Sequence, residues 1–289
     1  MTGAGGQLGH DARRLFSSPG YEVAATSHQD LDITDQRAVF DFIEQIKPNV
    51  IINAAAYTAV DDCETRQGKA FEVNAHGAEN MAKAAWKVGA VLVHISTDYV
   101  FAGCKTDPYQ EEDPLAPMNV YGASKLLGER LVWQACPASF ILRTAWLYGA
   151  HGKNFVKTMI QLARKGEPIS VVHDQQGTPT WTCDLVKQIQ VLISTDLYGL
   201  YHATSQGCCS WYQFALRIFE LMGLDVEVRP VTTDQFPRPA RRPKNSVLEN
   251  RRLKMHGLDV MPSWDRGLFN FLKTVKEEQH EAIAGSRAQ

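Results

Sequence analysis

Three stretches of this 289-residue chain hold residue types that could together reduce a carbonyl. In "VYGASK", Tyr121 and Lys125 stand four apart at the start of a helical pattern, so they share one helix face. A tyrosine phenol titrates near pH ~10 and exchanges protons poorly at neutrality; a lysine ammonium beside it favours the phenolate and lowers that value. In "HISTDYVF", Ser96 and Thr97 follow an apolar run, where a hydroxyl can hydrogen-bond a substrate carbonyl, and Asp98 next to them can cap a helix or touch a ligand. The chain opens "MTGAGGQLGH", with glycines at Gly3, Gly6 and Gly9 and an extra Gly5. The spacing is Gly-x-x-Gly-x-x-Gly. Leu8 occupies the place where the Gly-x-Gly-x-x-Gly fingerprint puts its last glycine. Gly3 and Gly6 permit a tight turn and a close phosphate approach. Gly9 permits close helix packing, and the N–H groups of the next helix's first turn face the anion. Taken singly, each stretch has a plainer reading: neighbours on a surface helix, a hydroxyl-capped strand end, a turn without a ligand.

The elements around these residues tie the stretches together. "YEVAAT" (21–26), "VIINAAA" (50–56), "VLVHIS" (91–96) and "FILRTA" (140–145) read as short buried strands without the alternation of a half-wet sheet. Helical patterns lie between them: "QRAVFDFIEQI", "KAFEVNAHGAENMAKAAWKVG" and "SKLLGERLVWQA". This rhythm predicts an α/β fold, a Rossmann-type doubly wound parallel sheet with helices on both faces. Right-handed crossovers bring every strand's C-terminal end to one edge, so the glycine turn, Thr97 and Tyr121 meet at a shared crevice. Farther on, "ISVVHD" (169–174) and "LYHAT" (200–204) read as strands, and "NFVKTMIQLARKG" and "SWYQFALRIFELMG" as amphipathic helices. Residues 276–289 are polar and small and read as a flexible tail. The glycine turn should follow a strand, yet only Met1 and Thr2 precede it. The expectation is a native N-terminus that extends upstream through that strand.

A net charge of -2 and 44% hydrophobic residues give a large core and no electrostatic footprint for nucleic acid or an anionic membrane. No apolar run reaches the ~18 residues of a membrane span, and no signal peptide is visible. The six cysteines include no Cys-x-x-Cys pair and read as reduced thiols of a cytoplasmic protein.

The ordered set of glycine turn, strand-end hydroxyl and Tyr-x-x-x-Lys resembles the extended, sugar-nucleotide branch of the short-chain dehydrogenase/reductase superfamily. The stretches "NAAAYTAVDDCE" (53–64), "STDYVFAG" (96–103), "NVYGASKLLGE" (119–129), "RTAWLYGAHGKNF" (143–155), "DQQGTPT" (174–180), "GLYHATSQGCCSWYQFA" (199–215) and "ARRPKNSVL" (240–248) are similar to the dTDP-4-dehydrorhamnose reductase family. The likeness runs from Thr2 to about Leu272. It implies reduction of the 4-keto group of a dTDP-sugar with NADPH or NADH, in the supply of rhamnose for cell-surface polysaccharide. It implies Tyr121 as proton donor, Lys125 as its partner and a ribose ligand, and Thr97 as holder of the sugar carbonyl. Gly3, Gly6, Gln7, Leu8 and Gly9 match the pyrophosphate turn. Asp32 and Ile33 match the adenine surroundings, and Ala54, Ala55, Ala56 and Thr58 the cofactor-facing loop. Asp98, Trp146, Asn154, Arg242 and Asn245 are implied on the substrate side, with the "RRPKNS" loop closing over the nucleotide end; Asn154 reads equally as the N-cap of the helix that "GKNF" begins, and Trp146 also as core packing.

The implied division is a nucleotide-binding domain over 1–148, to which part of 168–205 returns, and a smaller, discontinuous substrate-binding domain over 149–275. At the tip of the second strand this chain has Thr26, Ser27 and His28 rather than an acid, with Asp30 a little later, which implies dual cofactor use leaning to NADPH. Some family members form a Mg2+-linked homodimer through acidic residues; no such site can be mapped on this sequence. An epimerase or dehydratase of the same branch, and a non-catalytic regulatory subunit keeping the fold, are the alternatives. "STDYVF" lacks the adjacent Asp-Glu pair a dehydratase needs.

Overall fold

The computed structural model describes residues 1–287. The longer strands are β1 (Val50–Asn53), β2 (Val91–Thr97), β3 (Ser139–Thr144), β4 (Ile169–Val172), β5 (Gly199–His202) and β6 (Val228–Val231). The longer helices are α1 (Gln7–Phe16), α2 (Gln36–Ile46), α3 (Ala78–Val88), α4 (Val120–Ala135), α5 (Phe155–Ala163), α6 (Thr182–Leu192), α7 (Trp211–Met222) and α8 (Trp264–Arg287).

Strands β1, β2, β3 and β5 form one parallel sheet in that spatial order. Neighbouring residues of a strand point to opposite faces. Ile51, Leu92 and Ile141 therefore pack with Val39 and Ile43 of α2 and Met81 and Ala85 of α3. Ile52, Val93 and Leu142 pack on the other face with Leu8 and Ala12 of α1 and Leu185 and Ile189 of α6. Each such aliphatic side chain contributes ~1.5–3 kcal/mol when fully buried, so helices are held on both faces and the sheet is doubly wound. A third core lies outside the sheet, where Val156 of α5, Phe214 and Ile218 of α7 and Phe271 of α8 enclose Ile169 and Val171 of β4.

Helix starts follow local chemistry. Asp35 accepts the Ala38 N–H at 3.0 Å before α2, and Asn119 accepts the Gly122 N–H at 2.8 Å before α4. Ser210 and Gln213 form a reciprocal capping box at α7. Such caps contribute ~1 kcal/mol each.

Two expectations about elements change, and the later strands form as expected. Residues 21–26 do not form a strand: only Thr26 is paired, in a single parallel bridge to Thr2, which also bridges Asn53. A strand needs a neighbour along its length, and the neighbour here is the short segment Met1–Ala4, held by Thr2 N–H to Ile52 O at 3.0 Å and Thr26 N–H to Met1 O at 2.9 Å. Of the two later stretches read as strands, β4 pairs with β6 in a separate two-stranded sheet and β5 joins the main sheet beside β3. The other changed expectation is the tail: α8, anchored in the core by Leu268, Phe271 and Leu272, continues to Arg287 through most of that stretch. Residues 288 and 289 of that stretch lie outside the described residues. All six cysteines are free thiols, and no helix among the described residues is long and apolar enough to cross a membrane.

Candidate active site

The C-terminal edge of the sheet opens into a cavity of about 790 Å³. One end is built by the glycine turn. Gly3 has φ +70, and a Cβ on it would sit 2.6 Å from the Ala54 carbonyl carbon. A Cβ on Gly9 would sit 2.1 Å from Gly3 O. Only glycine lets α1 approach the turn and the turn approach the Ala54–Ala56 loop this closely. Gly6 caps α1 without a side-chain hydrogen bond, which leaves first-turn N–H groups free for an anion. All the residues expected on the cofactor side line this cavity: Gly3, Gly6, Gln7, Leu8, Gly9, Asp32, Ile33, Ala54, Ala55, Ala56, Thr58, Tyr121 and Lys125. A dinucleotide therefore fits the residues present.

Beyond the glycine turn the wall includes Ser27, His28 and Lys69. Asp30 is folded into its own turn, where one carboxylate oxygen accepts the Ser27 N–H at 2.8 Å and the Ser27 hydroxyl at 2.6 Å. Asp32 takes the Thr34 N–H at 2.9 Å and its hydroxyl at 2.8 Å; the Thr34 backbone bond leads the effects that hold this carboxyl below its usual range.

In the middle stand the titratable groups Tyr121, Lys125 and Asp98. Tyr121 and Lys125 lie on the first turns of α4, and a Cβ on Gly122 between them would meet Tyr99 O at 2.1 Å, so α4 sits hard against the loop after β2. Burial pushes the Tyr121 phenol up, partly offset by the Thr97 hydroxyl. This corrects the expected lowering by Lys125. The Lys125 ammonium donates instead to Ile95 O at 2.6 Å, and burial brings it down to about 8, with Glu129 opposing. Thr97 donates to Asp98 Oδ1 at 2.9 Å and caps the short helical turn that follows. Burial pushes the Asp98 carboxyl up to about 6. Ser96 turns the other way, to Glu129, which pairs with Arg143 through bonds of 2.9 and 2.7 Å. It braces β2 against α4 and is not free to hold a carbonyl.

At the far end Trp146, held at φ +47, stacks on Trp211 with ring centroids 3.5 Å apart and planes 5° from parallel. Gly177 leaves room for the indole, since a Cβ there would lie 2.2 Å from it. Trp211, Lys153, Tyr57 and Tyr99 also line the cavity, and sequence reasoning assigned them no role. Trp211 had a signal, as the first residue of α7 directly after the Ser210 cap; Lys153 sits in a glycine-flanked loop with no pattern of its own.

Three residues expected on the substrate side do not line the cavity. Asn154 caps α5 by accepting the Lys157 N–H at 3.0 Å. Its amide donates to Gly149 O at 2.8 Å and Gln7 Oε1 at 3.0 Å, so its polar groups are spent on the protein. Asn245 accepts the Val247 N–H at 3.0 Å and donates to Lys105 O at 2.8 Å, which ties down the 105–107 loop. Arg242 pairs with Asp61 at 2.9 Å. Among the described residues, no group of three His, Cys, Asp or Glu side chains could hold a metal ion.

The family model described as RmlD substrate binding domain matches residues 1–277. The chain belongs to this family. A relative within reach of it is the spore coat polysaccharide biosynthesis protein SpsK of Bacillus subtilis, 44% identical over 94% of this chain and 96% of its own length. The structure of a dTDP-4-dehydrorhamnose reductase from Clostridium acetobutylicum is 48% identical with a TM-score of 0.93, covering 95% of this chain and 98% of that one. A dTDP-4-dehydrorhamnose reductase from Bacillus anthracis, solved in complex with NADP, is 45% identical with a TM-score of 0.93, covering 94% and 97%. Membership in the RmlD family matches the parallel sheet and the glycine turn already described.

Proposed function

We propose that this chain is a dTDP-4-dehydrorhamnose reductase, an NADPH-dependent oxidoreductase that converts the 4-keto group of dTDP-4-dehydro-L-rhamnose to the alcohol of dTDP-L-rhamnose. The observation that carries the reading is one cavity that joins a glycine-cradled anion site to Tyr121, Lys125 and Thr97. When bound, NADPH supplies the hydride.

The chain's own residues do the rest. First-turn N–H groups of α1 and the backbone of Gly3 and Gly6 hold the pyrophosphate. Ala54–Ala56 keep side chains short where the cofactor lies. Thr97, whose hydroxyl donates to Asp98 in this structure, turns that proton to the sugar carbonyl oxygen, so charge that develops there meets a donor. Tyr121 gives that oxygen its proton. A phenol held up by burial is protonated at neutral pH, which is the state a donor needs. Lys125 holds the nicotinamide ribose from the cavity wall. The stacked Trp146–Trp211 pair offers an apolar face to the deoxysugar. At the adenosine end the Asp30 carboxylate is engaged in its own turn while His28 and Lys69 line the wall, which supports NADPH over NADH.

Mixing the purified protein with dTDP-4-dehydro-L-rhamnose and NADPH should deplete the reduced-nicotinamide absorbance one-for-one with sugar consumed. Turnover of sugar without net cofactor loss would make the chain an epimerase or dehydratase instead. A kcat/KM for NADH well above that for NADPH would overturn the cofactor preference.

A further inference from the structure

Behind the cavity wall, a line of buried polar side chains runs from Lys125 back to the glycine turn. His94 of β2 is fully buried. Its Nε2 lies 3.4 Å from Lys125 Nζ, and its Nδ1 lies 3.2 Å from the Asn53 amide nitrogen. Asn53 Oδ1 in turn accepts the Thr2 hydroxyl at 2.7 Å. Asn53 and Thr2 are also buried, so this line is closed to water along its length. Nothing in the mechanism above uses His94.

The valences of the line allow two arrangements. A neutral imidazole has one donor and one acceptor nitrogen. If Lys125 is a neutral amine, His94 Nε2–H donates to it, Nδ1 accepts from the Asn53 NH2, and Asn53 Oδ1 accepts from Thr2. If Lys125 is an ammonium, it can only donate, so Nε2 must accept and the proton sits on Nδ1. The Asn53 amide must then turn over, with its oxygen toward His94 and its NH2 toward the Thr2 oxygen. They differ by one proton on Lys125, one tautomer and one amide orientation, and in the second the Thr2 hydroxyl hydrogen must leave Asn53 for another acceptor.

We propose that His94 is a positioning residue for the reduction, a neutral imidazole that holds the Lys125 amine in the cavity wall and whose tautomer follows the charge on Lys125. The inference rests on the reading of Lys125 as part of the reductase site. Burial, then Lys125, holds His94 well below the ordinary imidazole range, so it stays neutral at working pH. Lys125, brought down to about 8, changes charge within that range. The charged and titratable groups around the pair are few. Glu129 comes from the next turn of α4 and is paired to Arg143 of β3; Asp98 and Tyr121 stand at the cavity side; Asn53 and Thr2 bring no charge. His94 is thus the uncharged partner that can serve either state of the lysine.

The test uses His94→Phe and His94→Gln in the full chain. Phe removes the acceptor, which disfavours the ammonium. The alkaline limb of the kcat/KM profile for NADPH should move down by about one pH unit. The Gln amide can turn its carbonyl to the ammonium or its NH2 to the amine, as the imidazole does, and should bring that limb back to the wild-type position. An alkaline limb unchanged in both variants overturns the proposal. Should His94→Phe not fold, 15N spectra of histidine-labelled wild-type protein decide: the His94 resonance, identified by its loss in His94→Gln, should exchange its ring-nitrogen shifts near pH ~8 and keep one tautomer in Lys125→Met. One tautomer throughout in wild type also overturns it. Full activity of Lys125→Met would instead remove the reductase reading of Lys125, an outcome separate from either of these.

Discussion

The two ends of the cavity are built by different means. At the cofactor end, backbone makes the wall: a glycine turn, a helix start without a side-chain cap, and three consecutive alanines. At the other end, proposed for the sugar, side chains make it, above all the stacked Trp146 and Trp211, and the nearby polar residues Asn154, Arg242 and Asn245 are spent on holding loops. A backbone wall leaves a spacing in the sequence, because any side chain at Gly3 or Gly9 would collide. A side-chain wall leaves no spacing, because its members come from separate segments that meet only in the fold.

The sharpest test of the backbone end is Gly9→Ala set against Gly5→Ala. The new methyl at Gly9 meets Gly3 O at 2.1 Å and Ala4 Cα at 2.7 Å, both main chain, whereas at Gly5 nothing lies within 4 Å. Overpacking against backbone costs about 3 kcal/mol, and the turn must open to relieve it. NADPH affinity, followed by fluorescence titration, should fall by about 100-fold in Gly9→Ala and less than about twofold in Gly5→Ala. Equal losses would mean the glycines are not a shaped cradle.

Asp98 lies between the two ends, and its effect should appear in stability. Its carboxyl is pushed up to about 6 from an ordinary 3.8, so ionising it in the fold is unfavourable. A raised acid binds its proton more tightly folded than unfolded. Its contribution is favourable below about pH 4 and is lost as pH rises through 6. Two pH units correspond to about 3 kcal/mol. Asp98→Asn keeps an oxygen to accept from Thr97 and removes the ionisation. Its melting temperature should exceed that of wild type at pH 8 and match it near pH 4. A difference independent of pH would assign the effect to packing.

How much could be read from the sequence follows the same line. The consecutive apolar residues Ile51–Ile52 and Leu92–Val93 are visible in the chain and, because neighbours point to opposite faces, suffice to place helices on both faces of the sheet. The glycine spacing, the alanine run and Tyr121–Lys125 are local, so they could be assigned before any fold was known. The strand reading of 21–26 failed because apolar composition says nothing about whether a pairing neighbour exists. The substrate-side assignments of Asn154 and Asn245 came from resemblance, and both residue types serve equally as ligands and as caps; only the three-dimensional partners decide. His94 was hidden inside an apolar strand pattern, where one polar residue looks like noise.

Trp211 tests the side-chain end. Trp211→Ala removes one plane of the stack and leaves Trp146 unsupported at a strained φ. KM for the dTDP-sugar should rise about tenfold, the order of one aromatic contact at 1.4 kcal/mol. KM for NADPH should stay within about twofold. A change confined to NADPH would put the tryptophan pair on the wrong side of the cavity.

Asn154 gives the smallest effect and the finest distinction. Its Oδ1 caps α5, and its amide joins Gly149 O to Gln7 Oε1, so the side chain links the substrate-side loop to the glycine turn without touching the cavity. Losing a cap costs about 1 kcal/mol. In Asn154→Ala the melting temperature should therefore fall by a few degrees, while KM for the sugar stays within about twofold. In Asn154→Asp the cap oxygen survives but the two donated bonds are lost, and a new carboxylate faces the Gln7 and Gly149 oxygens. If Asn154 is only a cap, the aspartate variant should be at least as stable as the alanine one. If the link to Gln7 matters more, aspartate should be the less stable of the two and should weaken NADPH binding through the turn. A tenfold rise in sugar KM in both, with stability unchanged, would return Asn154 to the substrate, because a ligand lost from the cavity weakens binding without loosening the helix it starts.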